Sequence, residues 1–389
     1  MTESLGILHL TTFLQGGAGR AIADLACAQR TAGHSVTVVT SETGAPGYGN
    51  YPEYVDRLLG AQVAVYRCDS LFKRDEALNR NVLALLQRQV AVAAIDIVHA
   101  HAAVPATIGR RFADAGARRV PVVQTQHGWG TSKTATQAAS DVDVLRAVDR
   151  VITTSVATHD LIVGYGVPRE SVEVIPCGLE PRSPLTARRA EEMIAPLRGA
   201  ATVIGCVGTV NANKNQRLII DALCLVGDLD IVVVFLGEGG EALIDHAAAA
   251  GVSKFVHAVG HQPDASRWLP LFDLLVSPSR SEGQGLVVLE AFRAGVPVVA
   301  SDIPAFAHLI QDGSNGFLFR NDDAQDLAAT IRKAVTLKAA AREAIVTRGY
   351  DTFAADYTLD RMIARHEALY RRLVSHQSGG LCQLAEYPA

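Results

Sequence analysis

The chain has 389 residues, 49% of them hydrophobic and 20% charged, with a formal net charge of −4. That length exceeds one ordinary core and implies two domains, and the apolar share excludes a disordered chain. The weakly acidic balance gives no electrostatic case for nucleic acid as a partner.

Six cysteines, at 27, 68, 177, 206, 224 and 382, show no Cys-x-x-Cys and no neighbouring histidine pair. They read as small buried residues in a reducing compartment, neither a disulfide framework nor a zinc site. The N-terminus has no basic region leading into a long apolar one, so no signal peptide is expected. The most apolar long stretch, 90–108, is broken by Asp96, His99 and His101, short of the roughly 18 apolar residues that a membrane span needs. The expectation is a soluble, cytoplasmic protein. The pairs Lys73-Arg74, Arg110-Arg111 and Arg118-Arg119 read as solvated surface, with peripheral contact to anionic lipid as the other option.

In chain order, residues 6–10 form a short apolar run that enters a glycine turn. Helical spacing follows to about Arg30, Gly33 stops it, and Ser35–Thr40 is β-branched. Strand, loop, helix, strand is the βαβ unit of a parallel sheet. AVYRC, DIVHAH, PVVQTQH and RVITTS continue the rhythm. CGLEPRSPLTARRAEE, rich in proline and charge, reads as a linker. Beyond it ATVIGCVGT, IVVVFLG, KFVHAVG, LFDLLVSPS and VPVVAS are strands, and NANKNQRLIIDALCLV has helical spacing. This predicts two Rossmann-like, doubly wound domains, 1–184 and 185–360, then a closing helix near 357–374 and a disordered tail within 361–389. If the domains face each other, the carboxyl ends of both sheets line a shared cleft.

Gly16, Gly17 and Gly19 follow the first strand, where glycines let a ligand approach a helix N-terminus. A dinucleotide fingerprint would place a third glycine where Ile22 stands, although Glu42 sits near the position of a ribose-binding acid. VGTVNANKNQ turns at Gly208 and delivers Lys214 near a helix start, where a lysine can meet a phosphate. In SPSRSEGQGLVVLEAFRAG, Gly283 and Gly285 bracket Gln284, a helix starts near Leu286, and Gly295 ends it. Glu282 then lies in the loop and Glu290 about one turn inside the helix, so the two carboxylates share no helical face. The N–H groups of residues 285–287 between them form an anion site. A sugar, a diphosphate and a ribose could span these features.

These motifs, with VVVFLGEGG, FVHAVGHQPD, PVVASD and IQDGSNGFLF, resemble family-4 glycosyltransferases of the GT-B fold. GGAGR, DIVHAH, TQHG, RVITTS and VIPCGLE carry the likeness into the first half. The resemblance implies a UDP- or GDP-sugar donor held by the C-terminal domain. Glu282 would contact donor-sugar hydroxyls with the backbone of Gly283, Gln284, Gly285 and Leu286. Glu290 would hold the ribose, and Lys214, with Gly208 and Thr209, the diphosphate. His127 would meet the transferred sugar, and Gly16 and Gly17 would admit the phosphate and acceptor. It also implies retention of configuration, no metal and no cofactor, and a glycan or glycolipid acceptor in cell-envelope synthesis, contacted by loops such as 43–55 and 128–140. The chain departs from the family in carrying Thr209 where an arginine is usual, with Arg280 or Arg217 as substitutes, Cys177 where an asparagine is common, and His308 where an acid is common. Asp228-Leu229-Asp230 resembles a metal-binding pair but precedes a strand, and reads as turn chemistry. His99 and His101 alternate along a strand end, so at most one would face a cleft, and neither is given a role. Two other readings remain: an NAD(P)-dependent oxidoreductase built on the first glycine loop, and a non-catalytic nucleotide-sugar-binding protein.

Overall fold

The computed structural model describes residues 3–42, 44, 48–69, 74–130, 133–181, 188–198 and 201–379. The chain divides into two units: the residues up to Cys177 with those from Leu359 onward, and Gly178–Thr358. The division falls after Cys177 rather than after 184, and the closing helix folds back into the first unit. Part of the expected linker is helical, Arg188–Arg198. The expected closing helix near 357–374 is Leu359–Gly379, preceded by a separate helix, Ala339–Asp356, and it runs on through residues 376–379, expected to belong to the disordered tail. Residues 380–389 lie outside the described residues.

The first unit is a seven-stranded parallel sheet of β1 (Gly6–Leu10), β2 (Ser35–Ser41), β3 (Ala64–Cys68), β4 (Ile97–Ala100), β5 (Val122–Gln126), β6 (Arg150–Thr153) and β7 (Val172–Val174), ordered β3-β2-β1-β4-β5-β6-β7. The second is a six-stranded parallel sheet of β8 (Thr202–Val207), β9 (Ile231–Leu236), β10 (Val256–Gly260), β11 (Leu274–Ser277), β12 (Val298–Ser301) and β13 (Phe317–Phe319), ordered β10-β9-β8-β11-β12-β13. β9 is buried along its whole length, as a strand covered by helices on both faces must be. The edge strands β7 and β13 were not among those expected. Each has three residues, too few to show a period. Three cysteines, 68, 177 and 206, are buried; Cys27 is half-buried and Cys224 exposed, against the expectation of uniform burial.

Polar residues occupy the centre of the first sheet. His9 and His99 are register partners on β1 and β4, and both are fully buried. Leu359–Gly379 adds buried His366 and Tyr370, and the Tyr370 hydroxyl lies 2.6 Å from His99 Nδ1. At most one of His99 and His101 was expected to face a cleft. Residues two apart along a strand point to the same side, and the His101 ring, just past the strand end at Ala100, has its centroid 4.2 Å from that of His99. Burial lowers the pKa of His9 and of His366 to about 4 and holds those of His99 and His101 well below the ordinary histidine value.

Two outcomes follow. Between the unfolded histidine value of 6.5 and the folded value of about 4, the unfolded chain binds more protons, so stability falls with pH through that window and is unaffected by these groups above it. His9 alone contributes about 3 kcal/mol, at roughly 1.4 kcal/mol per pH unit. Urea midpoints should therefore drop steadily from pH 7 to pH 4.5; equal midpoints at both ends would contradict the buried neutral histidines. In the second unit, a Cβ on Gly205 of β8 would come within 2.0 Å of Phe272 Cδ2. Gly205→Ala should lower the melting temperature by several degrees, as overpacking of about 1–3 kcal/mol does. Combined with Phe272→Leu it should lose less than the two separate changes together.

Candidate functional site

In each sheet the order of strand addition reverses once, between β1 and β4 and between β8 and β11. At such a point the loops beyond the two neighbouring carboxyl ends separate and leave a crevice for a ligand. In the second unit those loops are 208–216 and 278–285, which carry most of the predicted donor residues.

The first loop is organised by Asn211. Its Oδ1 accepts from the N–H groups of Asn213 at 3.0 Å and Lys214 at 2.9 Å, turning the chain back so that the Lys214 stem lies over Gly208, with Cε 3.6 Å from where a Cβ would stand. Gln216 Nε2 donates to the carbonyls of Gly208 and Thr209 at 3.2 and 3.1 Å. The two loops are tied together. Asn213 Nδ2 donates to Ser281 O at 2.8 Å, and Arg280 N to Asn213 O at 2.7 Å. Lys214 Nζ lies 2.6 Å from Glu282 Oε1, which also accepts from Ser279 Oγ at 2.7 Å. The lysine and glutamate side chains are 29% and 12% exposed, so their attraction is partly shielded from water. Both bonds converge on Oε1, leaving Oε2 and the remaining Lys214 protons for a ligand.

Gly285 holds the strand-to-helix turn. Its φ is +88°, and a Cβ would lie 2.5 Å from Phe306 Cε1, so both backbone and space require glycine. The helix Leu286–Ala294 starts there with no side-chain cap, presenting N–H groups of its first turn. Gln284 and Glu290 are buried. The helix ends at left-handed Gly295, and Gly349 of Ala339–Asp356 packs close against its Phe292. Lys214, Glu282, Gly283, Gln284, Gly285, Leu286, Glu290, Gly208 and Thr209 thus all lie in this unit. Arg280, one suggested substitute for the missing arginine, is committed elsewhere: its Nε bonds Asp322 at 2.7 Å and its Nη1 bonds Ala212 O at 2.7 Å. Arg217 is exposed on the following helix. His308 is exposed, with Nδ1 2.6 Å from Pro304 O. Asp228 bonds Arg332 through both oxygens, at 2.6 and 2.5 Å, which lowers its pKa and fits a turn residue.

Gly16, Gly17 and His127 belong to the first unit. Gly16 has φ +56° and opens the helix Gly16–Thr31, while Ile22 is buried in the core rather than facing a ligand. His127 follows β5. Its ring is half-buried, and this desolvation, with His366 nearby, lowers its pKa to about 4. His127 Nε2 lies 3.1 Å from His101 Nδ1, and His101 Nε2 lies 3.0 Å from His9 Nδ1. Sequence reasoning gave His9 no attention and His101 no role; one adjacent-strand pairing brings them into contact. His9, His99 and His101 place ring nitrogens within 4.8 Å of one another, close enough for a metal, although each ring is already hydrogen-bonded. Of the loops expected to contact an acceptor, 43, 45–47 and 131–132 lie outside the described residues. Trp129 stacks on Tyr165, with Lys133 Nζ 3.6 Å from its ring centroid.

Residues 15–183 match the family model Glycosyltransferase Family 4, and residues 201–336 match Glycosyl transferases group 1. The chain is 28% identical to a D-inositol 3-phosphate glycosyltransferase of Nocardia farcinica, over 60% of this chain and only 57% of that protein. It is 30% identical to the lipopolysaccharide core biosynthesis mannosyltransferase LpsB of Rhizobium meliloti, over 59% of this chain and 68% of that one. The crystal structure of Anabaena HepE in complex with UDP and glucose shares the fold, with a TM-score of 0.81, 19% identity and coverage of 95% and 100% of the two chains. Matches to both halves and this shared architecture exclude the oxidoreductase reading, and the chain belongs to the family-4, group 1 glycosyltransferases, enzymes of the GT-B fold.

Proposed function

We propose that the chain transfers a sugar from a UDP- or GDP-sugar to a hydroxyl of a glycan or glycolipid, with retention of configuration. The observation that carries this is the Lys214–Glu282 pair across the β8 and β11 loops, beside the uncapped helix that bears Glu290. A sugar nucleotide has hydroxyls at both ends and negative charge between them. Glu282 Oε2 suits sugar hydroxyls, Lys214 and the helix N-terminus suit the diphosphate, and Glu290 suits the ribose. HepE was solved with UDP and glucose, and LpsB is named for lipopolysaccharide core synthesis, which supports this donor and acceptor class.

In the proposed reaction the C1–oxygen bond to the diphosphate breaks, the acceptor oxygen bonds C1 from the same face, and the departing phosphate oxygen takes the acceptor's proton. Charge grows on the leaving group, where Lys214 and the helix N-terminus act electrostatically without a metal. His127 meets a hydroxyl of the transferred sugar. The reaction takes place in the cytoplasm or at the membrane surface; no helix among the described residues is long and apolar enough to cross a membrane.

A thermal-shift screen against UDP, GDP and their sugars identifies the donor through the stability that binding adds. With that donor, Lys214→Ala and Glu290→Ala should each weaken binding roughly tenfold or more, as loss of a charged hydrogen bond does. Glu282→Ala should mainly lower kcat. The Lys214→Ala/Glu282→Ala double variant should lose less than the two single effects combined, because the groups are in contact. Wild-type affinity and rate in all three single variants would overturn the site.

A further inference from the structure

The buried histidines of the first unit form one chain of hydrogen bonds that ends at His127. Gln29 Oε1 lies 2.7 Å from His9 Nε2, His9 Nδ1 lies 3.0 Å from His101 Nε2, and His101 Nδ1 lies 3.1 Å from His127 Nε2. A second arm starts at Tyr370, buried on the helix Leu359–Gly379. The Tyr370 hydroxyl meets His99 Nδ1 at 2.6 Å, and His99 Nε2 meets Thr125 Oγ1 at 2.7 Å. Gln29, His9 and His99 are at most 2% exposed, so water cannot replace these partners.

Every ring here is neutral, since burial lowers each pKa. A neutral imidazole has one donor and one acceptor nitrogen, so fixing one bond fixes the rest. Gln29 Oε1 can only accept, so His9 donates from Nε2 and accepts at Nδ1. His101 must then donate from Nε2 and accept at Nδ1, and His127 must donate from Nε2. The other arm agrees. The phenol donates to His99 Nδ1, so His99 Nε2 donates to Thr125. A phenol donating to an imidazole nitrogen is the acid-to-base direction, and all four histidines take the intrinsically favoured Nε2–H tautomer.

We propose that Gln29, His9 and His101 are positioning residues that lock His127 in the Nε2–H tautomer, so that it presents Nδ1 as a hydrogen-bond acceptor to a hydroxyl of the transferred sugar. The use of that acceptor rests on the role proposed for His127; the lock itself does not. An acceptor at this point recognises a ligand O–H and rejects a ligand carbonyl or phosphate oxygen, which a protonated or reversed imidazole would favour.

The test is nitrogen NMR of the whole protein labelled with 15N-histidine, with His127 assigned by its loss in His127→Gln. Protonated and bare ring nitrogens resonate far apart, so the tautomer is read directly. The expected wild-type spectrum shows His127 with Nε2 protonated and Nδ1 bare. His101→Leu and Gln29→Leu should turn it into a mixture of forms. His101→Gln, whose amide can donate towards His9 and accept from His127, should restore the single form. A wild-type His127 protonated at Nδ1, or one unchanged by His101→Leu, overturns the lock, and the wild-type spectrum decides its direction even if a variant fails to fold. Unchanged sugar transfer in His127→Ala, with the expected spectrum intact, would instead remove the sugar-binding role and leave the lock standing.

Discussion

The reversal of strand order at β8 and β11 is the constraint on which the proposed donor site depends. Parallel strands wound outward in both directions must send two neighbouring loops to opposite faces, and the gap between them lies at the carboxyl ends. Every second-unit residue proposed for the donor sits on those two loops or on the helix that continues one of them. The Lys214–Glu282 pair closes the gap at 2.6 Å, across 68 residues of sequence. The reversal between β1 and β4 does the same for the first unit, setting the Gly16 turn and His101 on neighbouring strand ends.

Each loop is held by its own polar groups rather than by regular structure. Asn211 shapes the Lys214 turn, Asn213 and Arg280 bind the loops to each other, and Gly285 supplies the left-handed turn. Gly295 and Gly349 let the helix bearing Glu290 end sharply and pack closely. A rigid frame of this kind keeps charged groups in place before a ligand arrives, which is the condition for electrostatic stabilisation of a leaving group. Thr209 stands where the resemblance leads one to expect an arginine, and Arg280 does not replace it because Asp322 and Ala212 hold it.

Much of the second unit was legible because its signals are local. Gly283, Gly285 and Gly295 mark a loop and a helix whose bounds, Leu286–Ala294, match the expected ones, and the separation of Glu282 from Glu290 on different elements followed from them. The expectation that His99 and His101 would be separated failed because side chains two residues apart along a strand point the same way, so the spacing brings the two rings together. β7 and β13 were missed because three residues carry no period. Gln29 and His9 carried no signal at all: a single buried glutamine or histidine reads as core until its partners are known.

By itself the sequence determined two parallel α/β domains, the glycine loops, and the residue types on which the proposed donor site rests, since period, turn chemistry and helix termini act within a few residues. Only the tertiary structure decided that Lys214 pairs with Glu282, that the helix from Leu359 completes the first unit, and that His9, His101 and His127 form one directed chain from Gln29. Those contacts depend on which strands become neighbours and on how a hydrogen bond fixed at one ring dictates the next, and neither is written in local spacing.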